Sequence, residues 1–290
     1  MSLITLGLEI AKLKFDVCLI KENGKTKHKV FANTSHGFEQ LVTWLASHRV
    51  DSLQLCLEAT GTYGEALALY LFDAGFMVSI VNPAAVKAFA VSRLTRTKTD
   101  TVDAELSARF SLAQQPETWM PPVPQVRQLQ ALVRRLESLS EMRVAEENRL
   151  SSGVSIDSLR LSLESHIAYL LEETKQTELI IREHIGNHPN LKQQSDLLDS
   201  IPGLGETAAA LLPAEIPNID QYKSARQIAA YAGLVPRERR SGSSVRRGTV
   251  LSKIGNARLR KALYFPAITA LRSSSFCQQW ASGMRRARKI

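Results

Sequence analysis

The order of apolar segments in the first 115 residues is the feature that most restricts the fold. Three strand-like runs come first, and the Asn23-Gly24 pair between the second and third is a hairpin signal. Helical and strand patterns then alternate, which predicts the order βββαβαβαα and a mixed α/β layer fold. The predicted strands are residues 3–10, 15–20, 27–31, 53–57 and 76–81, and the predicted helices begin at Ser35 (as cap), near Gly61, at Pro83 and near Thr101.

Four carboxylates stand at the ends of these predicted elements. Glu9 and Glu58 end two apolar runs, and Asp100 and Asp103 lie three residues apart where the last helix begins. Strand ends and helix starts are places where distant segments converge. Converging acidic oxygens would bind Mg²⁺ or Mn²⁺, and two such ions can clamp the attacking and leaving oxygens of a phosphodiester. The order of elements also matches RNase H-like nuclease domains, so we predict that fold for residues 1–120.

The rest of the chain divides into two further predicted parts. The proline-rich segment 119–124 predicts a domain boundary. Leucines recur at helical spacing over residues 125–195, which predicts two long helices in a hairpin or coiled coil, broken near residues 151–153. Residues 196–290 form a mostly α-helical C-terminal domain. Its turn with Gly203 and Gly205 resembles a helix–hairpin–helix that binds phosphates, although the same pattern also makes ordinary turns.

The positive charge is concentrated in one segment. The chain has a net charge of +9, yet residues 1–125 carry twelve basic and twelve acidic residues. Residues 223–261 carry eleven basic residues and the single acid Glu238, a net charge of +10. A one-sided block indicates contact with a polyanion, most naturally nucleic acid, although a solvated basic surface is the alternative. The nucleic-acid-binding candidates are Gly203, Gly205, Arg237, Arg239, Arg240, Arg246, Arg247, Lys253, Arg258 and Arg260.

A serine-rich stretch lies inside this basic block. The Gly and Ser residues within the stretch from Arg237 to Gly248 predict a flexible loop rather than a helix. A serine flanked by arginines could attack phosphorus while the guanidinium groups offset the developing charge. The same stretch could equally be a linker whose arginines hold the DNA backbone, and spacing alone does not choose among Ser241, Ser243 and Ser244.

Several classes of protein are not favoured. The apolar runs are too short to span a bilayer, and we expect a cytoplasmic bacterial protein without a secretory signal or membrane partner. The three cysteines lack C-x-x-C spacing and predict no zinc site, and the two in strand-like runs, Cys18 and Cys56, are predicted to be buried thiols. The six histidines show no ligand spacing near the carboxylates. No glycine motif for ATP or NAD is present.

Taken together, these segments resemble insertion-sequence transposases of the "IS one-ten" kind, also called DEDD or Piv-like transposases. The motifs follow the family's order over nearly the whole chain. They are GLEIAK from Gly7, LEATGTY from Leu57, VNPA from Val81, KTDTVDA from Lys98, IPGLG from Ile201, YAGLVP from Tyr231, SG at Ser241 and KIGNARLR from Lys253.

The resemblance implies a RuvC-like N-terminal domain, a coiled-coil link and a C-terminal domain with a serine nucleophile. It implies that Glu9, Glu58, Asp100 and Asp103 bind the metal and that Ser241 attacks DNA. The implied partners are DNA, a structured bridge RNA and further copies of the chain, as a dimer or tetramer.

Two departures from the family pattern bear on activity. Glu9 stands where the family has Asp, so its carboxylate lies about one C–C bond further out, and Mg²⁺ tolerates little distortion of its octahedron. The chain also stops where relatives continue with another helical segment. Two alternatives therefore stay open: an RNase H-like nuclease such as a junction resolvase, and a catalytically impaired nucleic-acid-binding protein. Glu9→Asp should create activity in a site that is merely impaired.

Overall fold

The computed structural model describes residues 4–48, 50, 53–59, 61–241 and 245–287. The chain divides into two compact units, Met1–Pro121 and Pro122–Ile290. None of the described helices is long and apolar enough to cross a membrane.

Unit 1 contains a five-stranded mixed sheet in the order β3-β2-β1-β4-β5. Strands β1 to β3 form an antiparallel meander, and β1, β4 and β5 run parallel. The strands are β1 (Thr5–Ile10), β2 (Lys14–Ile20), β3 (Thr26–Ala32), β4 (Gln54–Glu58) and β5 (Met77–Val81), and the helices are α1 (Ser35–Ser47), α2 (Glu65–Asp73), α3 (Pro83–Ser92) and α4 (Asp100–Gln114). The predicted order βββαβαβαα is confirmed, and it is compatible with an RNase H-like domain.

The sheet is covered on both faces because alternate side chains of each strand point to opposite sides. Leu6 and Leu8 of β1 belong to a core that includes buried residues of α1 and α2. Cys18 of β2 packs instead with Ala104 and Ala108 of α4. The sheet therefore lies between α1 and α2 on one side and α3 and α4 on the other.

Gly7 sets how closely α4 approaches the sheet. A Cβ at this position would lie 2.0 Å from the Ala104 carbonyl oxygen and 2.3 Å from the Ala108 amide nitrogen. Both neighbours are backbone atoms, so Gly7→Ala forces the helix away from β1. We expect this change to lower the free energy of unfolding by about 3 kcal/mol or more. Urea denaturation measures it, and Gly186→Ala is the matched control because a Cβ there meets nothing within 4 Å. Equal stability of the two variants would contradict this packing.

Unit 2 is helical apart from one hairpin. Its elements are α5 (Pro124–Ser151), α6 (Asp157–Gly186), α7 (Pro189–Asp199), α8 (Glu206–Glu215), a 3₁₀ turn (Ile219–Gln221), α9 (Ala225–Tyr231), β6 (Pro236–Ser241), β7 (Val245–Leu251), α10 (Ala257–Ala262), α11 (Tyr264–Ser273) and α12 (Ser275–Ala287). The two long helices α5 and α6 pack against each other, and the buried face of α5 also contacts α8. Coiled-coil packing and a phosphate-binding helix–hairpin–helix stay predictions, as does the division of residues 125–290 into two domains.

Three local predictions were wrong. Thr34, not Ser35, caps α1, and its hydroxyl accepts a hydrogen bond from the Gly37 amide. The second helix begins only at Glu65, after a turn with Gly61 in the left-handed region. The predicted loop at 237–248 falls largely on β6 and β7, which pair in an antiparallel ladder, and residues 242–244 lie outside the described part of the chain.

Candidate active site

Glu9 and Glu58 occupy corresponding places on two parallel strands. The β1–β4 ladder pairs Leu8 with Leu57, and each glutamate is the next residue along its strand. Parallel neighbours in register place such residues on the same face and at the same end of the sheet. The two carboxylates, which the sequence separates by 49 positions, therefore belong to one site.

Helix α4 brings the two aspartates to the same end. Its contacts with β1 are Thr5 Oγ1, which donates to the Ala108 carbonyl at 3.1 Å, and Gly7, which lies against Ala104. Two residues of a strand span about 6.7 Å, and four residues of a helix span about 6 Å. Moving two residues forward along β1 therefore corresponds to moving four residues back along α4. The next step pairs Glu9 with the first turn of α4, which contains Asp100 and Asp103.

The pKa values show that these carboxyl groups act on one another. Burial raises the pKa of Glu9 from its ordinary 4.5 to about 7, and the charges of Glu58, Asp103 and Asp100 raise it further in that order. Burial, and then Asp103, also raises the pKa of Glu58. The pKa of Asp103 is raised mainly by burial. Lys98 partly opposes all three increases.

Asp100 is arranged differently from the other three acids. Its carboxylate lies 2.8 Å from the Lys14 ammonium, and this hydrogen bond lowers the pKa of Asp100. The four carboxylates are not drawn into one tight cluster. Among the described residues, the three possible ligands whose atoms all lie within 4.8 Å of one another are instead Cys18, His28 and Glu105.

The donor set nonetheless fits a hard divalent cation. Three carboxyl groups whose pKa values are raised by burial and by neighbouring acids mark an excess of negative charge that a bound cation would relieve. Glu9, Glu58 and Asp103 would hold such an ion once their side chains draw closer together, because their ligand atoms do not all lie within 4.8 Å of one another here. Asp100 could join them once its side chain exchanges Lys14 for the metal.

The pKa of Glu9 predicts how stability changes with pH. Between pH about 4.5 and about 7 the folded chain holds a proton on Glu9 that the unfolded chain has lost. Without divalent cations, the free energy of unfolding should therefore fall as pH rises through this window. Glu9→Gln should flatten this fall and the exposed Glu22→Gln should not, as urea denaturation at pH 5 and pH 8 would measure. A stability that rises over this window equally in all three proteins would contradict the shift.

Sequence reasoning missed a second layer around the acids. Asp16 of β2 is 5% exposed and lies directly opposite Glu9 in the ladder. It accepts hydrogen bonds from Lys14 at 3.0 Å and from the Thr101 hydroxyl at 3.3 Å. Asp16 and Lys14 of β2 thus bind Thr101 and Asp100 in the first turn of α4. An acid inside an otherwise apolar strand was the available signal.

Ser241 lies in the other unit, at the end of strand β6. The ladder pairs it with Val245, so residues 242–244, outside the described part of the chain, connect the two strands. Ser243 and Ser244 fall on that undescribed segment. The backbone thus places Ser241 at the tip of a two-stranded hairpin that carries Arg237, Arg239, Arg240, Arg246 and Arg247.

The other basic candidates include side chains with partners inside unit 2. Arg258 forms ion pairs with Glu137 at 3.1 Å and Glu215 at 3.9 Å. Arg260 donates to the carbonyl oxygens of Ala232 and Lys253. These contacts give both arginines a structural role.

The two glycines proposed to contact phosphate also differ. Gly203 has a φ of +97°, and a Cβ there would lie 2.9 Å from Thr269 side-chain atoms, so packing and backbone conformation both explain a glycine. Gly205 precedes α8, and a Cβ there would meet nothing within 4 Å. Of the two glycines, Gly205 has open space around it and lies directly before the N-terminus of α8.

Comparison with known proteins identifies the family of the chain. Residues 6–155 match the DEDD-type IS110 transposase domain, and residues 195–281 match the domain described as "Transposase IS116/IS110/IS902 family". The chain belongs to the IS110 family of transposases. Transposases cut and rejoin DNA, so DNA recombination is the class of its activity, and a DEDD-type domain indicates dependence on divalent metal ions.

Proteins similar to this chain include one that is named for inverting a gene. The pilin gene-inverting protein of Moraxella bovis is 34% identical over 92% of this chain and 83% of its own length. The transposase of insertion sequence element IS1111A from Coxiella burnetii is 28% identical over 92% of this chain and 78% of its own length. The transposase of element IS1328 from Yersinia enterocolitica is 24% identical over 89% of this chain and 81% of its own length.

Proposed function

We propose that this IS110-family transposase exchanges DNA strands through a phosphoserine at Ser241, at a site completed by Glu9, Glu58, Asp100 and Asp103. The observation that carries the proposal is that the half-buried Glu9 and Glu58 share one end of the sheet with the first turn of α4, where the charge of Asp103 raises the pKa of both. Acids whose pKa values are raised by burial and by neighbouring acids destabilise the folded chain when they are charged, and a bound divalent cation would offset that cost.

In this proposal the serine and the acids have separate tasks. The bound Mg²⁺ or Mn²⁺ would supply charge stabilisation at the phosphate oxygens. Ser241 Oγ forms a bond to phosphorus and loses its proton, while the bond from phosphorus to the 3′ oxygen breaks and that oxygen takes up a proton. A 3′ hydroxyl from another strand then attacks the phosphoserine and releases Ser241. Because the phosphoserine conserves the phosphodiester, no nucleoside triphosphate is needed.

The basic hairpin is the proposed contact with the nucleic-acid backbone. Its ladder pairs Arg239 with Arg247 and Arg240 with Arg246. Like charges opposite one another destabilise an isolated ladder, and a bound polyanion offsets that repulsion. DNA and RNA phosphates are polyanions of this kind.

The acids and Ser241 belong to different compact units, so the complete site needs an arrangement of units that brings them together. We propose that copies of the chain share it, as a dimer or tetramer. Mixing Ser241→Ala protein with Asp103→Ala protein is the test of sharing. Each variant retains what the other lacks, so recovered strand exchange supports the shared site, and no recovery at any mixing ratio contradicts it.

A bridge RNA would supply the sequence information in this proposal. Residues 223–261 contain a single aromatic residue, Tyr231, so base stacking contributes little to recognition there. Backbone phosphate contacts carry no sequence readout, and binding to bare duplex DNA should be sequence-blind and fall steeply with salt.

Complete ribonuclease treatment of the purified complex tests the guide. Strand exchange should stop after treatment and return when the RNA from the end of the element is added back. Treatment with ribonuclease that has been inhibited before addition, so that the RNA stays intact, is the control for handling. Activity that survives full RNA removal, or a strong sequence-specific footprint without RNA, contradicts guidance by RNA.

A DNA inversion reaction is compatible with the same chemistry. The Moraxella bovis relative is named for inverting a pilin gene. Inversion and insertion differ in how the exchanged strands are joined, not in the bonds formed at Ser241. The recombination substrate should therefore contain sites in both orientations, so that either product is scored.

A further inference from the structure

A second group of possible metal ligands lies on the α4 side of the sheet, apart from the acidic site. Cys18 of β2 and His28 of β3 are directly paired in the antiparallel ladder, and Cys18 Sγ lies 3.7 Å from His28 Nε2. Glu105 of α4 completes the group, with its Oε2 3.8 Å from the same imidazole nitrogen. All three ligand atoms lie within 4.8 Å of one another.

These spacings approach those of a tetrahedral zinc site. Zinc binds sulfur at about 2.3 Å and nitrogen or oxygen at about 2.0–2.2 Å, so two ligands on one ion lie about 3.3–3.6 Å apart. The observed 3.7 Å and 3.8 Å need to shorten by only a few tenths of an ångström. The imidazole and carboxylate belong to side chains about one-third exposed, which gives an ion a path and leaves a fourth position for water.

We propose that Cys18, His28 and Glu105 form a binding site for a thiolate-preferring divalent ion, with Zn²⁺ as the natural candidate. Thiolate and imidazole select such an ion over Mg²⁺, which prefers oxygen ligands throughout. On binding, Cys18 forms a bond to the metal and releases its thiol proton to water. The proposal does not depend on the recombination mechanism, because none of these three residues acts on DNA there.

Arg109 partly neutralises one of the ligands by contacting Glu105 Oε1, while Glu105 Oε2 faces His28. Its guanidinium holds Glu105 in two contacts, at 2.6 Å and 2.8 Å, one turn along α4. Burial, followed by the charge of Glu105, raises the pKa of Cys18 to about 12, so the thiol stays protonated until a cation arrives. A metal's own charge deprotonates a coordinating thiol. Removing Arg109 frees Glu105 and should favour the ion.

Bound metal would join β2 and β3 to α4, the helix that also carries two of the proposed recombination acids. Glu105 lies two residues beyond Asp103 on α4, while Cys18 and His28 belong to β2 and β3. The ion would join the first half of α4 to two strands by bonds stronger than the present packing. We therefore expect it to raise the melting temperature of unit 1.

Titration of the full-length, metal-free chain with Co²⁺ tests the site, because cobalt replaces zinc and a cobalt–thiolate bond gives a charge-transfer absorption band. The wild-type chain should show a saturable band at one equivalent, which Zn²⁺ removes and excess Mg²⁺ does not. Cys18→Ala should abolish the band, and His28→Ala should weaken binding by more than about tenfold. Arg109→Met should tighten it several-fold.

Matched variants separate this site from adventitious binding. Cys56→Ala removes a thiol equally buried in the same sheet, and His36→Ala removes an exposed imidazole away from the group. Both should keep the band unchanged. A folded wild-type chain without the band overturns the proposal, as does a band that survives Cys18→Ala or is indifferent to His28→Ala. Glu105→Gln tests the third ligand in the same titration. Its side chain is partly exposed, so the substitution does not disturb the core.

Discussion

Replacing Asp103 by Asn should abolish metal-dependent DNA cleavage while leaving the fold intact. Asp103 is the aspartate whose charge raises the pKa of both Glu9 and Glu58, and it lies at the first turn of α4 where the three elements meet. Even outer partners of metal ligands contribute about 10–100-fold, so loss of a ligand should lower the cleavage rate by more than about 100-fold. Cleavage of a labelled substrate over a range of Mg²⁺ concentrations measures it.

The controls for this prediction come from the same unit. Asp73→Asn alters an exposed aspartate at the end of α2 and should leave cleavage unchanged. Glu9→Asp restores the shorter acid and should raise cleavage above the wild-type level. If Asp103→Asn cuts as fast as wild type at every Mg²⁺ concentration, the acids are not the metal site. If neither wild type nor Glu9→Asp cuts any substrate, the chain only binds nucleic acid.

Replacing Ser241 by Ala should eliminate strand exchange with DNA binding retained. The alanine has no oxygen to attack phosphorus, whereas the arginines of the hairpin remain. Loss of a nucleophile typically lowers the rate by at least about 1000-fold. Strand exchange and affinity for duplex DNA should be measured on the same preparation, so that catalysis is separated from binding.

The two serines that follow provide the matched controls. Ser243→Ala and Ser244→Ala should retain strand exchange within a few-fold, since only the serine before Gly242 is the proposed nucleophile. Residual metal-dependent cutting by Ser241→Ala at the wild-type rate would favour a water nucleophile and a resolvase-like enzyme. Loss of activity in Ser243→Ala with retention in Ser241→Ala would move the nucleophile by two residues.

The N-terminal fold was predictable because local signals agree with the global arrangement there. The Asn23-Gly24 turn fixes the meander, and apolar runs ending at Glu9 and Glu58 place both acids at strand ends. Thr99 accepts a hydrogen bond from the Val102 amide, so a capped helix starts where the spacing of Asp100 and Asp103 indicated. Each of these features depends on neighbours a few residues away.

Features that depend on distant partners were not predictable in the same way. Gly and Ser between arginines predicted a loop, whereas the ladder of β6 and β7 forms across that segment. The ion pair of Arg258 with Glu137, 121 positions earlier in the sequence, was not indicated by any local pattern, and its contact with nucleic acid stays a prediction. The pairing of Cys18 with His28 follows from the register about the Asn23-Gly24 turn, but spacing rules for metal motifs do not include cross-strand neighbours.

The most direct test of the account is to identify the covalent bond between protein and DNA. The chain, its RNA and a labelled DNA substrate are incubated with Mg²⁺, resolved on a denaturing gel, and the protein–DNA band is digested and mapped by mass spectrometry. The account predicts an adduct that requires the metal and carries the 5′ phosphate on Ser241. Cleaved DNA with free ends and no adduct, or a phosphate on any other residue, would contradict it.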